Sequence, residues 1–349
     1  MSIDRTASAA ALAVGTTPAI FGCAGLTLGA EEREFFRATD PAGFILFKRN
    51  CADPAQVRAL VADLRAAVGR PTAPVLIDQE GGRVQRLRPP HWRAAPPARR
   101  FAELYEADPA AGLRAAWINA RLIAAELIDL GIDVDCAPVL DNPVPGAHDV
   151  IGDRALGRDV GTIAALGRAV TDGLLAGGVL PVIKHLPGHG RAEVDSHQHC
   201  PIVGAGDAEL RARDLPPFRA LADAPFAMTA HVVYRAWDAD RVATWSPGVI
   251  AEVIRGDIGF GGCLLSDDLS MQALDGGLGE RARRALVAGC DLALHCNGDL
   301  AEMRDVASAA GTISEGAAAR LAAALARRTA PASIDRAALL AELNGLLKD

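Results

Sequence analysis

The chain has 349 residues, 50% apolar, 23% charged and 4% aromatic, with a net charge of −7. That apolar content excludes a solvated coil, and the length supports a large core without disulfide or metal staples. Gly at 35 and Cys at seven exclude a collagen-like or small secreted scaffold. The acidic balance, with no Lys/Arg run, leaves no electrostatic footprint for nucleic acid.

The N-terminus carries Asp4 and Arg5, then Ala-rich sequence, without the charged region, apolar core and cleavage site of a secretory signal. Ile20-Phe21-Gly22-Cys23 faintly resembles a lipoprotein cleavage box, but bulky Phe21 fits it badly and the run reads as a first strand. Seven further short apolar runs follow: Gly43–Phe47, Pro74–Ile77, Ile132–Leu140, Leu180–Ile183, Phe226–Ala230, Gly262–Leu265 and Asp291–His295. The first run is Ala19–Leu26, which makes eight. Helical patterns alternate with them: Glu31–Thr39, Asp53–Val68, Ala110–Leu130, Gly161–Ala176, Ala208–Leu221, Pro247–Arg255, Gly279–Ala288 and Leu300–Ala309. Asp53-Pro54 is an N-cap followed by Pro at the first helical position. Two amphipathic segments, Ala317–Arg327 and Ile334–Leu347, form a tail. No stretch reaches the ~18 apolar residues of a membrane span. The seven cysteines are scattered, odd in number and without a C-x-x-C pair, which fits a reducing compartment and a cytoplasmic location.

Alternating strands and helices call for βαβ units and a parallel sheet. Seven of the eight runs carry polar groups at or just after their C-terminal ends. These are Lys48-Arg49-Asn50, Asp78-Gln79-Glu80, Asp141-Asn142, Lys184-His185, His231, Asp267-Asp268 and His295-Cys296-Asn297. A doubly wound sheet concentrates such groups at one switch point, whereas a (β/α)8 barrel places them at the end of every strand. The fold class is therefore α/β, a single (β/α)8 barrel domain over about residues 18–310, with a helical tail over 311–349.

Three segments concentrate chemistry. Asp78–Arg86 holds two acids, a Gly pair and two arginines, suited to a hydroxyl-rich or charged small molecule. A tight turn with surface charges is the plainer alternative, and no phosphate-loop or dinucleotide motif occurs. Lys184–His199 holds four of the eight histidines in a Gly/Pro-rich stretch. Structural histidines, a metal site and acid/base chemistry all remain open there. In Asp195-Ser196-His197 a carboxylate two residues before an imidazole suits proton transfer near neutral pH. Ser266–Met271 places two adjacent acids at a strand end, one able to cap a helix and the other to act as a nucleophile. Ile151–Arg154 reads as a surface salt bridge or a site segment, and His231 as a pocket wall.

In this order, GFILFKRN (43–50), IDQEGGRVQRL (77–87), KHLPGHGRAEVDSH (184–197), MTAH (228–231) and SDDLSM (266–271) resemble the bacterial β-N-acetylglucosaminidases (β-N-acetylhexosaminidases) of glycoside hydrolase family 3. The combination is specific although each piece alone is weak. The resemblance implies a retaining hydrolase of terminal β-linked N-acetylglucosamine. Asp267 matches its nucleophile, and His197, oriented by Asp195, its general acid/base. That arrangement departs from the usual two carboxylates. Asp78, Arg86, Arg154, Lys184 and His185 match sugar-binding positions, with His231 beside them. The loop glycines Gly188 and Gly190 suit a segment that closes over bound sugar. Ala155-Leu156 and Leu186 depart from the common Ser-Phe and Phe.

Glucosidase members usually carry a second domain that supplies a carboxylate acid/base, and this sequence leaves no segment for it. The His-loop subgroup acts on N-acetylglucosaminyl-1,6-anhydro-N-acetylmuramic acid muropeptides in cell-wall recycling. The implied partner is a small carbohydrate, with no metal, cofactor, nucleic acid or membrane, and a monomer or weak homo-oligomer. Competing expectations are a phosphorylase on the same barrel, a metal-dependent hydrolase using His185, His189, His197 and His199, and a sugar-binding protein without turnover.

Overall fold

The computed structural model describes residues 16–196 and 198–348. The N-terminal Asp4–Arg5 region and His197 lie outside the described residues. Eight strands form the barrel: β1 Thr17–Phe21, β2 Pro41–Leu46, β3 Val75–Ile77, β4 Val134–Asp135, β5 Leu180–Leu186, β6 Phe226–Thr229, β7 Cys263–Asp268 and β8 Leu292–His295. Each pairs in parallel with its sequence neighbours, and β8 closes on β1. The (β/α)8 expectation holds.

The strands divide their side chains by the two-residue period of a pleated chain. Ile20, Ile45, Leu76, Val134, Val182, Met228, Leu265 and Leu294 share the cluster that fills the lumen. The alternate residues Phe21, Phe44, Ile77, Ile183, Ala227, Leu264 and Ala293 belong to the larger cluster between barrel and helices. Both faces are buried, so the strands read as continuous apolar runs.

Most helices fall where the sequence places them. Asp53 caps Pro54–Ala67, accepting the amides of Ala55 and Gln56. The expected 208–221 helix is instead two, Asp207–Arg213 and Pro216–Ala220, because the Pro216-Pro217 pair cannot continue a helix but suits the start of one. Val249–Asp257 winds wider than an α-helix, as a π-helix. Ala98–Ala107 is a helix the sequence pattern missed. The fourth apolar run yields only two strand residues: past Asp135 the amide of Ala137 turns back to the Asp135 carbonyl, and Pro138 has no amide to donate.

Two buried aspartates brace the N-terminal face of the barrel, and each reaches one of the arginines in the C-terminal tail. Asp133, before β4, accepts the Val75 amide of β3 at 2.9 Å and pairs with Arg65 at 2.9 Å and Arg328 at 3.1 Å. Asp291, before β8, accepts the Leu264 amide of β7 at 2.9 Å and pairs with Arg255 at 2.9 Å and with Arg320. In each case one carboxylate ties a neighbouring strand, a helix of the barrel ring and the tail. Arg320 lies in the helix Glu315–Leu325, and a second tail helix, Arg336–Leu346, seats Leu343 in the outer core.

Removing either carboxylate leaves a buried strand amide without its acceptor and two partly exposed arginines without their anion, which costs about 1–3 kcal/mol. Asp133→Ala and Asp291→Ala are each expected to lower unfolding stability by about that amount in urea, with KM unchanged. A loss below about 1 kcal/mol would show that these carboxylates do not brace the face.

Candidate active site

At the C-terminal ends of the strands a cavity of about 240 Å³ opens into the barrel. Strand alternation sets its walls. Counting in steps of two from the lumen residues brings Phe47, Asp78, Lys184, Asp267 and Cys296 inward, and all five line the cavity. His185 lies on the opposite phase. It still lines the cavity because the β5–β6 register slips between Lys184 and Leu186, which re-aims the side chain.

One wall is a buried charge cluster. The Lys184 ammonium, 3% exposed, donates to Asp78 Oδ1 at 2.9 Å and pairs with Glu80 Oε1 at 2.7 Å. Arg86 Nη2 donates to Asp78 Oδ2 at 2.9 Å. Arg154 grips Glu80 bidentately, Nε and Nη2 each at 2.9 Å, and gives Nη1 to the Val150 carbonyl at 3.1 Å. Arg86 also lies over the Phe47 ring, 5.0 Å from its centre. Burial alone would raise the Asp78 and Glu80 carboxyls. Lys184 and Arg86 outweigh it at Asp78, holding that group well below the carboxylate range, and Arg154 with Lys184 brings Glu80 to about 2. For Lys184, burial favours the neutral amine, but the two anions reverse this and raise the ammonium well above its ordinary value. The cluster is ionised throughout the physiological range.

Asp141, beyond β4, orients the next wall. Its Oδ2 lies 2.7 Å from His185 Nδ1, and its Oδ1 accepts the amides of His185 at 3.3 Å and His189 at 2.6 Å. Burial opposes ionisation of Asp141, yet His185 and these hydrogen bonds hold its carboxyl below the ordinary range. An ionised carboxylate only accepts, so Nδ1 of His185 carries the proton and Nε2 is left for a ligand.

His189 lines the cavity with Nε2 2.9 Å from Ser196 Oγ. Burial pushes it down to about 4, so it is neutral, and its buried Nδ1 meets no hydrogen-bond partner among the described residues.

The segment carrying Asp195 is pinned at its start. Arg191 Nε donates to both Asp214 oxygens, at 3.1 and 2.8 Å, and Nη1 donates to Glu209 at 2.7 Å. Tyr234 donates to the Gly188 carbonyl at 2.5 Å. A Cβ on Gly190 would fall 2.1 Å from the Asn142 carbonyl oxygen, so this glycine serves close packing rather than a hinge. Asp195 itself accepts the amides of Gln198 and His199 on its carbonyl, each at 2.9 Å. Ser196, not Asp195, reaches the cavity wall.

Both acids ending β7 line the cavity, but Asp268 spends its carboxylate on the fold. Its carboxylate accepts Ser270 N at 3.1 Å, Ser270 Oγ at 2.5 Å and Cys296 N at 3.2 Å, fastening the turn to β8. Asp267 Oδ1 accepts the Asp268 amide at 2.8 Å, and its side chain lines the cavity opposite the charge cluster.

His231 corrects an expectation: it is fully buried and does not line the cavity. The strand alternation that brings Met228 inward turns it away. Its Nδ1 lies 2.7 Å from Thr244 Oγ1 and its Nε2 3.0 Å from the Asp268 carbonyl. It supports the backbone behind Asp267. Among the residues framing the site, Asp141 and Glu80 stood in the sequence only as polar strand tips and His189 only as a candidate metal ligand, while Phe47 was not singled out.

The model of the glycosyl hydrolase family 3 N terminal domain matches residues 20–329. A beta-hexosaminidase of Methylococcus capsulatus (strain Bath) is 42% identical over 328 residues, spanning 92% of this chain and 94% of that one. One of Bordetella avium is 39% identical over 284 residues, 80% of either chain. In three dimensions the chain resembles native NagZ from Neisseria gonorrhoeae, with a TM-score of 0.85, 32% identity and coverage of 96% and 99% of the two chains. It also resembles a β-N-acetylglucosaminidase from a Paenibacillus species, with a TM-score of 0.84, 31% identity, and coverage of 94% of this chain and 67% of that one. With the closed barrel and the motif residues gathered at its C-terminal face, the chain belongs to glycosyl hydrolase family 3.

Proposed function

We propose that this family 3 glycoside hydrolase is a retaining exo-β-N-acetylglucosaminidase, with Asp267 as nucleophile and His197 as acid/base. The observation that carries the reading is the cavity itself. A carboxylate at a strand tip faces a wall of fixed donors and acceptors in a space on the scale of one sugar. That wall (Asp78, Arg86, Lys184, His185 and Arg154) matches the hydroxyls and acetamido group of an N-acetylhexosamine. Similarity to the Methylococcus and Bordetella beta-hexosaminidases supports the same substrate class.

In this reading Asp267 attacks the anomeric carbon as the glycosidic C–O bond breaks, and protonated His197 gives its proton to the leaving oxygen. Neutral His197 then takes a proton from water, which attacks the glycosyl ester and frees Asp267. Asp195 orients His197 and stabilises its charged form. Asp268 and His231 hold the backbone on which Asp267 rides. The muropeptide N-acetylglucosaminyl-1,6-anhydro-N-acetylmuramic acid, met in cell-wall recycling, is the substrate we favour. A cytoplasmic location fits the seven free thiols and the absence, among the described residues, of a helix able to cross a membrane.

Asp267→Ala is expected to cut hydrolysis of a chromogenic N-acetylglucosaminide by about 10³-fold or more without unfolding the barrel. Near-normal turnover would remove Asp267 from the chemistry. The product in phosphate buffer should be free N-acetylglucosamine; its 1-phosphate would instead establish a phosphorylase.

Lys184→Met removes a charged donor worth about 1.5–3 kcal/mol, so kcat/KM should fall by about 10- to 100-fold. An unchanged kcat/KM would place the charge cluster outside sugar binding.

A further inference from the structure

Asp135 ends β4 with Val134 and Cys136 on the lumen side, so its side chain points out of the barrel, behind the charge cluster. Its Oδ1 accepts the Gln79 amide at 2.9 Å. Its Oδ2 is buried and meets no hydrogen-bond partner among the described residues. Beside it lies a space of about 30 Å³ that Glu80, Arg154 and Asn119 share with apolar helix residues. That is room for one water, with polar groups enough to hold it.

The groups facing Asp135 come from every element around it. Asp78, Gln79 and Glu80 follow β3, Lys184 comes from β5, and Arg154 from the turn Gly152–Arg154. The helix Pro109–Leu130 offers Asn119, whose Oδ1 is taken by Arg93 at 2.7 Å. The helices Ala98–Ala107 and Val160–Ala176 present only apolar side chains to this space. Lys184 and Arg86 are engaged by Asp78, and Lys184 and Arg154 by Glu80; among the described residues no cation makes an ion pair with Asp135. An anion here would keep one oxygen buried without a partner, which is costly, whereas an acid has an O–H to give. Burial pushes this carboxyl up to about 7; the Gln79 amide and Lys184 pull it down, and Asp78 and Glu80 push it further up.

We propose that Asp135 is a positioning residue that works as a neutral acid, donating through one water to Glu80 and so holding the Glu80–Arg154 pair against the sugar. The positioning role rests on the sugar-site reading above; the protonation does not. As pH rises past neutrality Asp135 ionises, a further anion stands behind Glu80, and the pair loosens.

Asp135→Asn keeps the shape and cannot ionise. With wild type, KM for an N-acetylglucosaminide should rise about three- to tenfold between about pH 6 and pH 8, a hydrogen bond's worth, and with the variant it should not. Melting supplies a readout independent of activity. The unfolded Asp ionises at its ordinary low value and the folded one only near 7, so wild type loses stability across that window as pH rises. The melting temperature of D135N relative to wild type should therefore climb from about pH 5 to about pH 8. Infrared difference spectra of wild type should show a protonated-carboxyl band at about pH 6 that fades with rising pH and is missing from D135N.

A constant melting offset together with no such band overturns the proposal. The band with a flat KM profile in both proteins overturns the positioning role. Failure of the sugar-site reading looks different: wild type then turns over no N-acetylglucosaminide at all. Should D135N fold poorly, Asp135→Ser replaces it in the same infrared and melting comparison, since the buried Asp214 carboxyl, raised to about 6, is common to both proteins and cancels.

Discussion

The C-terminal face of this barrel depends on one buried ammonium. Lys184 lies between Asp78 and Glu80, and each of those carboxylates takes a second cation, Arg86 or Arg154. Desolvating five charges is costly, and the cluster is tolerable only because every anion meets two cations. That condition also fixes geometry. It ties the chain after β3 to the middle of the barrel and to the turn that carries Arg154, so the cavity wall is held by the chain's own ion pairs. Fixed, ionised donors and acceptors lining a recess are what hydroxyl recognition requires.

The two ends of the barrel divide the work. At the N-terminal face, Asp133 and Asp291 join strands, ring helices and tail, far from the cavity. At the C-terminal face the polar groups converge on it instead. The second layer is as ordered as the first: Asp141 sets the His185 tautomer, Asp268 and His231 hold the backbone of Asp267, and Arg191 anchors the segment leading to Asp195. Neutral His189 joins that segment to the wall through Ser196. Asp135 extends the same logic outward, to the back of the Glu80–Arg154 pair.

Much of this was legible in the residues. Eight apolar runs, seven of them with polar tips, specify a barrel whose strands and site face follow directly, and Asp53-Pro54 marks a helix start that the structure keeps. Strand phase was legible too, but had to be counted: two steps from Leu265 reach Asp267, while three steps from Met228 turn His231 away. Where phase breaks, the sequence is silent. The slip beside Lys184 that swings His185 into the cavity has no local signature. Partners distant in the chain are equally hidden, which is why Glu80, Asp141 and His189 could not be separated from ordinary polar neighbours. The Ala98–Ala107 helix and the split at Pro216 are local, and closer attention to proline would have found the second.

The account turns on which carboxylate attacks the sugar, and covalent trapping asks that directly. The protein would be incubated with a fluorinated N-acetylglucosaminide inactivator that slows hydrolysis of the glycosyl ester, digested, and mapped by mass spectrometry. The account predicts one sugar per chain, on the peptide containing Asp267 and on that side chain. A sugar on Asp78, Glu80 or Asp268, or inactivation with no covalent adduct, would contradict it.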